Sequence, residues 1–209
     1  MSKNYCTLYI ARHGQTEWNA KGILMGQKDS PLTDLGIQQA QDLARELSKI
    51  NFDAIYSSDL LRAKRTADIV KLERDLAIQT TKVLRERFYG SYDGRPNQDY
   101  VEARDRLVTK LKIFTEAEKK ALKVDPSAES VDELLARFIT FLREVSVANL
   151  NKKVLIVTHG GAMRNFLIHS AWAKDEELPP YSLSNCAYLI VESDGVDFFI
   201  KKTVGVNKK

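Results

Sequence analysis

Short apolar runs alternate along this chain with stretches that repeat at helical spacing. Cys6-Thr7-Leu8-Tyr9-Ile10-Ala11 and Val154-Leu155-Ile156-Val157-Thr158 are compact runs of strand-forming residues. Residues 53–57 read as another strand, residues 77–81 as a weaker one, and residues 187–191 and 198–203 as two final strands. Between these runs the period changes. Behind Thr33, a helix cap, Leu35, Gln39, Leu43 and Leu47 recur about one turn apart, with Ile37, Ala40 and Ala44 beside them. A second helix is expected from Ser58 or Asp59 to Val70, and another from about residue 162. Ser130-Val131-Asp132-Glu133 is a capping box that opens an amphipathic helix to about residue 149.

Residues 14–31 form a polar, Gly-punctuated loop, and residues 84–94 an irregular loop carrying Gly90 and Gly94. Residues 95–128 differ in character. They are polar and Lys-rich, with helices expected around 101–114 and 116–122, and are closed off by Pro126. Strands that alternate with helices predict an α/β fold, a three-layer α/β/α sandwich around a mainly parallel sheet. Residues 95–128 are then a helical insertion, or lid, over the carboxyl edge of that sheet. A chain of 209 residues fits one domain spanning residues 1–209.

Composition narrows the function classes. Hydrophobic residues make up 44%, enough for a packed core and too many for a disordered chain. The net charge of +4 is spread along the sequence, which argues against a nucleic-acid partner. No apolar run reaches the length of a membrane span, so no membrane partner is expected. Residues 1–4 lead straight into the first strand and leave no room for a signal peptide. Cys6 and Cys186 are too few and too far apart for a disulfide framework or a zinc site, and read as buried thiols in a reducing cytoplasm.

The candidate chemistry sits where two strands stop. Of the three histidines, His13 and His159 each follow an apolar run and precede a glycine. Ligands of open α/β sheets bind at the carboxyl ends of strands, so both imidazoles are expected to face one pocket. Arg12 adds a planar, permanently charged fork suited to a phosphate or carboxylate, and Asn19 adds an amide donor. His169, near Phe166 and Trp172 on the last helix, lacks the strand-end setting and is expected to pack. Arg65 is expected to be solvated. Glu86, between Arg85 and Arg87, reads by itself as a surface ion pair or as a catalytic acid.

Arg12-His13-Gly14-Gln15-Thr16, followed by Trp18-Asn19, resembles the signature of the histidine phosphatase superfamily, the phosphoglycerate-mutase-like proteins. Further segments match in order: Ser57-Ser58-Asp59-Leu60-Leu61-Arg62; Leu84-Arg85-Glu86 with Gly90 and Asp93-Gly94; Glu129-Ser130 with Asp132 and Arg137; Val157-Thr158-His159-Gly160-Gly161 with Arg164; and, more weakly, Ser184-Asn185-Cys186. Ala128 stands where the family pattern has glycine, and the capping box is a sufficient reading of Glu129 and Ser130.

The resemblance implies a phosphatase acting on a small phosphorylated metabolite. His13 is the nucleophile that becomes a phosphohistidine, with its second ring nitrogen held by a backbone carbonyl. Arg12, Arg62 and His159 grip the phosphoryl oxygens, and Glu86 protonates the leaving oxygen and then activates water. Asn19, Gly26 and the backbone at Gly160 are placed at the phosphate. No metal and no cofactor are expected, because fixed cations supply the positive charge. The loop carrying Gly26, residues 22–33, looks like the phosphatase branch, and no adjacent Arg-Arg pair follows Glu86 as in the mutases; Arg87, Arg95, Arg104 and Arg106 stand singly. The alternatives are a cofactor-dependent phosphoglycerate mutase and a catalytically silent phospholigand-binding module. Sugar phosphates, phosphoglycolate-like acids, a ribazole phosphate and fructose 2,6-bisphosphate all fit as substrates, and a monomer or a homodimer fits equally.

Overall fold

The computed structural model describes residues 4–71, 74–112 and 115–209. Among these residues six strands form one sheet: β1 (Cys6–Arg12), β2 (Ala54–Ser58), β3 (Ile78–Thr81), β4 (Lys153–Thr158), β5 (Leu183–Ser193) and β6 (Phe198–Val206). Their order is β3-β2-β4-β1-β5-β6. β1 to β4 run parallel, whereas β5 and β6 are added antiparallel. The α/β class and the mainly parallel sheet are therefore as expected.

Among the described residues, seven α-helices accompany the sheet: α1 (Glu17–Ala20), α2 (Asp34–Glu46), α3 (Leu61–Lys71), α4 (Asn97–Leu111), α5 (Glu116–Ala121), α6 (Val131–Ala148) and α7 (Gly160–His169). The strand alternation explains the three layers. Cys6, Leu8, Ile10, Val154 and Ile156 point to one face and pack with Leu134, Phe138 and Phe166 of α6 and α7. Tyr9, Ala11, Leu155 and Val157 point to the other and pack with Leu43, Ala63 and Ala67 of α2 and α3. β1 and β4 are thus apolar on both faces, as central parallel strands must be.

The chain leaves β1 toward one edge of the sheet and leaves β4 toward the other. A crevice consequently opens between their carboxyl ends. The loop after β1 lies hard against the start of α2. A Cβ on Gly14 would stand 2.4 Å from the Gly36 carbonyl oxygen, so this approach requires glycine.

Some boundaries differ from the periodic reading. Thr16 caps the four-residue α1 inside the expected loop. α4 starts at Asn97, ahead of residue 101, and residues 113–114 at its expected end lie outside the described residues. β5 starts four residues early because Cys186 takes a left-handed backbone (φ 57°) and shifts the β5–β6 register, which breaks the alternation.

Candidate active site

Register brings the two histidines together. Arg12 pairs with Thr158 across β1 and β4, so His13 and His159 leave the sheet at the same level. Their ring centroids are 5.2 Å apart. The His13 Nδ1–H donates to the Gly14 carbonyl at 2.7 Å. A carbonyl only accepts, so the proton resides on Nδ1 and Nε2 keeps its lone pair. Burial, reinforced by Arg62 and Arg12, holds the His13 pKa well below its ordinary value. Burial, Arg62 and His13 do the same to His159, whose two ring nitrogens have no hydrogen-bond partner.

Arg62 lies in the first turn of α3 and is 1% exposed. Its Nη1 donates to the Lys28 carbonyl (2.6 Å) and to Asp29 Oδ1 (3.0 Å), and its Nη2 donates to the Gly26 carbonyl (2.7 Å). Asp29 also accepts the Leu61 N–H at 2.6 Å, so one carboxylate closes the start of α3 and aims the guanidinium. Arg12 is held by the Leu183 carbonyl. Burial lowers the pKa of both guanidinium groups, opposed by Glu86 at Arg12 and by Asp29 at Arg62. Both remain cationic at neutral pH, and the Nε of each is buried without a partner.

Glu86 Oε1 accepts the Arg87 N–H (2.9 Å), and Oε2 accepts the Gly161 N–H in the first turn of α7 (2.8 Å). The neighbouring arginines do not pair with it, which corrects the surface ion-pair reading. Arg85 forks onto Asp59, 2.7 Å at each oxygen, and Arg87 donates to the Glu129 carbonyl. Arg137 fastens the segment from behind. It donates to the Arg85 and Glu86 carbonyls and grips Glu129 at 2.6 and 2.8 Å. Glu129 is therefore a strut for the Glu86 segment and does not line the cavity.

A cavity of about 440 Å³ opens above these groups. Arg12, His13, Asn19, Gly26, Arg62, Glu86 and Gly160 line it; His159 does not, being fully buried beside His13. The Asn19 Oδ1 accepts from the Thr16 N–H and from Asn185, both at 3.2 Å, which fixes the amide through its oxygen and not through the Nδ2 donor. Gly26 has φ 52°, and a Cβ there would stand 1.8 Å from an Asp93 carboxylate oxygen. Its carbonyl serves Arg62.

Three supporting residues stood outside the expected site. Asp29 looks in sequence like an ordinary loop carboxylate. Arg137 and Asn185 fall in matched segments, but only the fold shows Asn185 donating to the His13 carbonyl. Arg65 is exposed as expected. His169 is exposed rather than packed, at the last position of α7. Cys6 is buried and Cys186 half-buried, and burial pushes their thiols up to about 11 and about 12. Among the described residues, no group of three His, Cys, Asp or Glu side chains could hold a metal ion, and no helix is long and apolar enough to cross a membrane.

Residues 8–204 match the histidine phosphatase superfamily (branch 1). The chain is 37% identical over 156 residues to putative phosphoserine phosphatase 2 of Hydrogenobacter thermophilus, covering 75% of this chain and 74% of the relative. It is 34% identical over 164 residues to phosphoglycerate mutase-like protein 4 of Arabidopsis thaliana, covering 78% and 70%. The crystal structure of phosphoglycerate mutase from Bacillus anthracis superposes with a TM-score of 0.84 at 25% identity, over 98% of this chain and 94% of that one. Paired strand-end histidines, buried arginines and these likenesses agree: the chain belongs to branch 1 of the histidine phosphatase superfamily and is an enzyme of that superfamily.

Proposed function

We propose that this enzyme is a metal-independent phosphomonoesterase that works through a phosphohistidine on His13. One observation carries the reading: the free Nε2 of a neutral His13 sits among buried, unpartnered nitrogens of His159, Arg12 and Arg62. Such orphaned donors are costly to bury unless an anion takes them up. In the first step Nε2 attacks phosphorus in line, the N–P bond forms, and the ester P–O bond breaks. Glu86 delivers a proton to the departing alkoxide, giving the alcohol. In the second step Glu86 takes a proton from water, the water oxygen bonds to phosphorus, and the N–P bond breaks to release inorganic phosphate. Arg12, Arg62 and His159 stabilise the three equatorial oxygens in both steps. The fixed guanidinium groups supply the charge that a metal provides elsewhere, so no cofactor enters the scheme.

The hydrolase reading is favoured over the mutase. Arg87 is engaged by the Glu129 and Leu122 carbonyls, and Arg95 lies over the Tyr92 ring, 5.5 Å from its centroid. Neither belongs to an adjacent pair that could grip a second phosphate. A silent binding module is disfavoured because nucleophile, acid and cations are all present together. The substrate is a small phosphorylated metabolite, phosphoserine and 3-phosphoglycerate among the candidates; the partner is neither nucleic acid nor membrane. We place the enzyme in the cytoplasm as a monomer or homodimer, in keeping with its two free thiols.

The test compares phosphate release from a panel of phosphomonoesters with 3- to 2-phosphoglycerate interconversion, each with a strong chelator present. Release should dominate, survive chelation and proceed through an acid-labile, alkali-stable phosphoenzyme. Dominant interconversion, or loss of activity restored by a divalent metal, overturns the reading.

A further inference from the structure

The peptide between Gly14 and Gln15 orients the His13 ring. Its carbonyl accepts the His13 Nδ1–H at 2.7 Å. Its other end, the Gln15 N–H, donates to Oε1 of Gln39 on α2 at 2.9 Å. A backbone N–H only donates, so the oxygen end of the Gln39 amide is the end that faces it. The peptide before it is held as well. The Gly14 N–H donates to Thr66 Oγ1 on α3 at 3.1 Å, and that hydroxyl donates to the Arg62 carbonyl at 2.8 Å. Gln39 and Thr66 thus take up the two backbone N–H groups that flank the Gly14 carbonyl along the chain.

Packing alone does not ask for a polar side chain at position 39. It lies one turn after Leu35 and one turn before the buried Leu43, where the helical period otherwise brings apolar residues. Gly36, three residues earlier and on the same face of α2, brings the helix this close, since a Cβ there would stand 2.0 Å from the Gln15 carbonyl oxygen. Thr66 is fully buried, and its hydroxyl both accepts and donates. Neither Gln39 nor Thr66 lines the cavity, so neither touches substrate.

We infer that Gln39, supported by Thr66, is a positioning residue for the nucleophile: it fixes the Gly14–Gln15 peptide so that the carbonyl faces Nδ1 and the Nε2 lone pair stays free. This rests on the proposed phosphohistidine chemistry and deepens it. The bond to Gln39 stops the peptide from turning its carbonyl away from the ring. It also polarises the peptide, which strengthens the carbonyl as an acceptor. Without it the ring proton is free to move to Nε2, and a protonated Nε2 has no lone pair with which to attack phosphorus.

The experiment uses Gln39→Met, which keeps the length of the side chain and removes the oxygen, and Gln39→Glu, which keeps an acceptor. Enzyme in excess is mixed with 4-nitrophenyl phosphate, whose leaving group needs no proton from Glu86. Phosphoenzyme formation should slow at least about tenfold in Gln39→Met, while the Kd for inorganic phosphate stays near the wild-type value. Gln39→Glu should recover most of the rate. ¹⁵N NMR of histidine-labelled protein should show His13 protonated on Nδ1 in the wild type and in Gln39→Glu, and a mixture of tautomers in Gln39→Met. Thr66→Val, which keeps the shape of the side chain and removes the hydroxyl, should slow the same step, and Thr66→Ser should restore it. An unchanged rate and tautomer in Gln39→Met overturns the inference and leaves the phosphatase reading intact. So does an equal loss in Gln39→Glu, or a phosphate affinity that falls as far as the rate. If the wild-type enzyme forms no phosphohistidine, the reading of the site falls, and the inference with it.

Discussion

The two walls of the cavity are built on opposite principles. On the sheet side Arg62 and Glu86 are each fixed from several directions. Arg62 has three acceptors, Glu86 has two backbone donors, and Arg137 straps the Glu86 segment to Glu129. On the α4 side the ion pairs are local and open to water: Arg106–Glu102 at 3.6 Å, with 71% and 51% of the side chains exposed, and Arg104–Asp105 at 3.8 Å. The contrast follows from chemistry. A phosphoryl transition state demands donors held to about 0.5 Å, so their supports are buried and redundant. No proposed step is routed through α4, and a loosely seated helix is tolerated there.

The contrast can be broken most severely at the nucleophile. His13→Ala removes the Nε2 lone pair that the bond from Nδ1–H to the Gly14 carbonyl leaves free for attack. Turnover should fall by about 10⁴-fold or more, with no phosphoenzyme formed, while inorganic phosphate still protects the fold in thermal denaturation. Unchanged turnover removes His13 from the mechanism.

Asp29 is the next most consequential position, although it touches no substrate. Its loss leaves a buried guanidinium without its counter-ion and α3 without an acceptor at Leu61. Asp29→Ala should lower stability by about 2–4 kcal/mol and kcat/KM by about 100-fold, mainly through misplacement of Arg62. Asp29→Asn, which keeps an oxygen acceptor, should recover part of the activity. Equal loss in both variants would point to a folding defect, and no loss in either would detach Asp29 from Arg62.

These two residues also mark how far sequence alone reaches. His13 was legible because a strand end followed by glycine is a local pattern, and its partner His159 shows the same pattern at a strand that pairs in register with the first. The alternating apolar residues of β1 and β4 fixed both faces of the sheet in the same way. Asp29 was not legible, because its role arises from a carboxylate and a guanidinium 33 residues apart meeting in space. The Cys186 kink and the exposure of His169 escaped for a related reason. Period alone does not say where a strand bends or where the cover over a helix stops.

Acid should weaken the sheet-side wall selectively. The unfolded histidines bind protons near pH 6.5, whereas folded His13 and His159 have pKa values well below that. The unfolded chain then holds more protons below about pH 6.5, so stability is complete above that pH and declines as pH falls toward the folded values. The slope approaches about 1.4 kcal/mol per pH unit for each histidine. His169, shifted down less by partial burial, adds a smaller share; urea midpoints at pH 7.5, 6.5 and 5.5 measure the decline, and His159→Ala should make it shallower. A flat profile would mean that the imidazoles are not buried in the neutral form.

The smallest effect belongs to the α4 wall. Arg106 and Glu102 lie one turn apart on the exposed side of α4, where water screens the pair and ordering two long side chains offsets the attraction. Removing either by alanine should change stability by no more than about 0.5 kcal/mol, and the double variant should match the sum of the singles. Thermal denaturation of all three, at low and high salt, checks this. A coupling above about 1 kcal/mol would show that α4 is anchored as firmly as the sheet-side wall, and the two-wall contrast would then disappear.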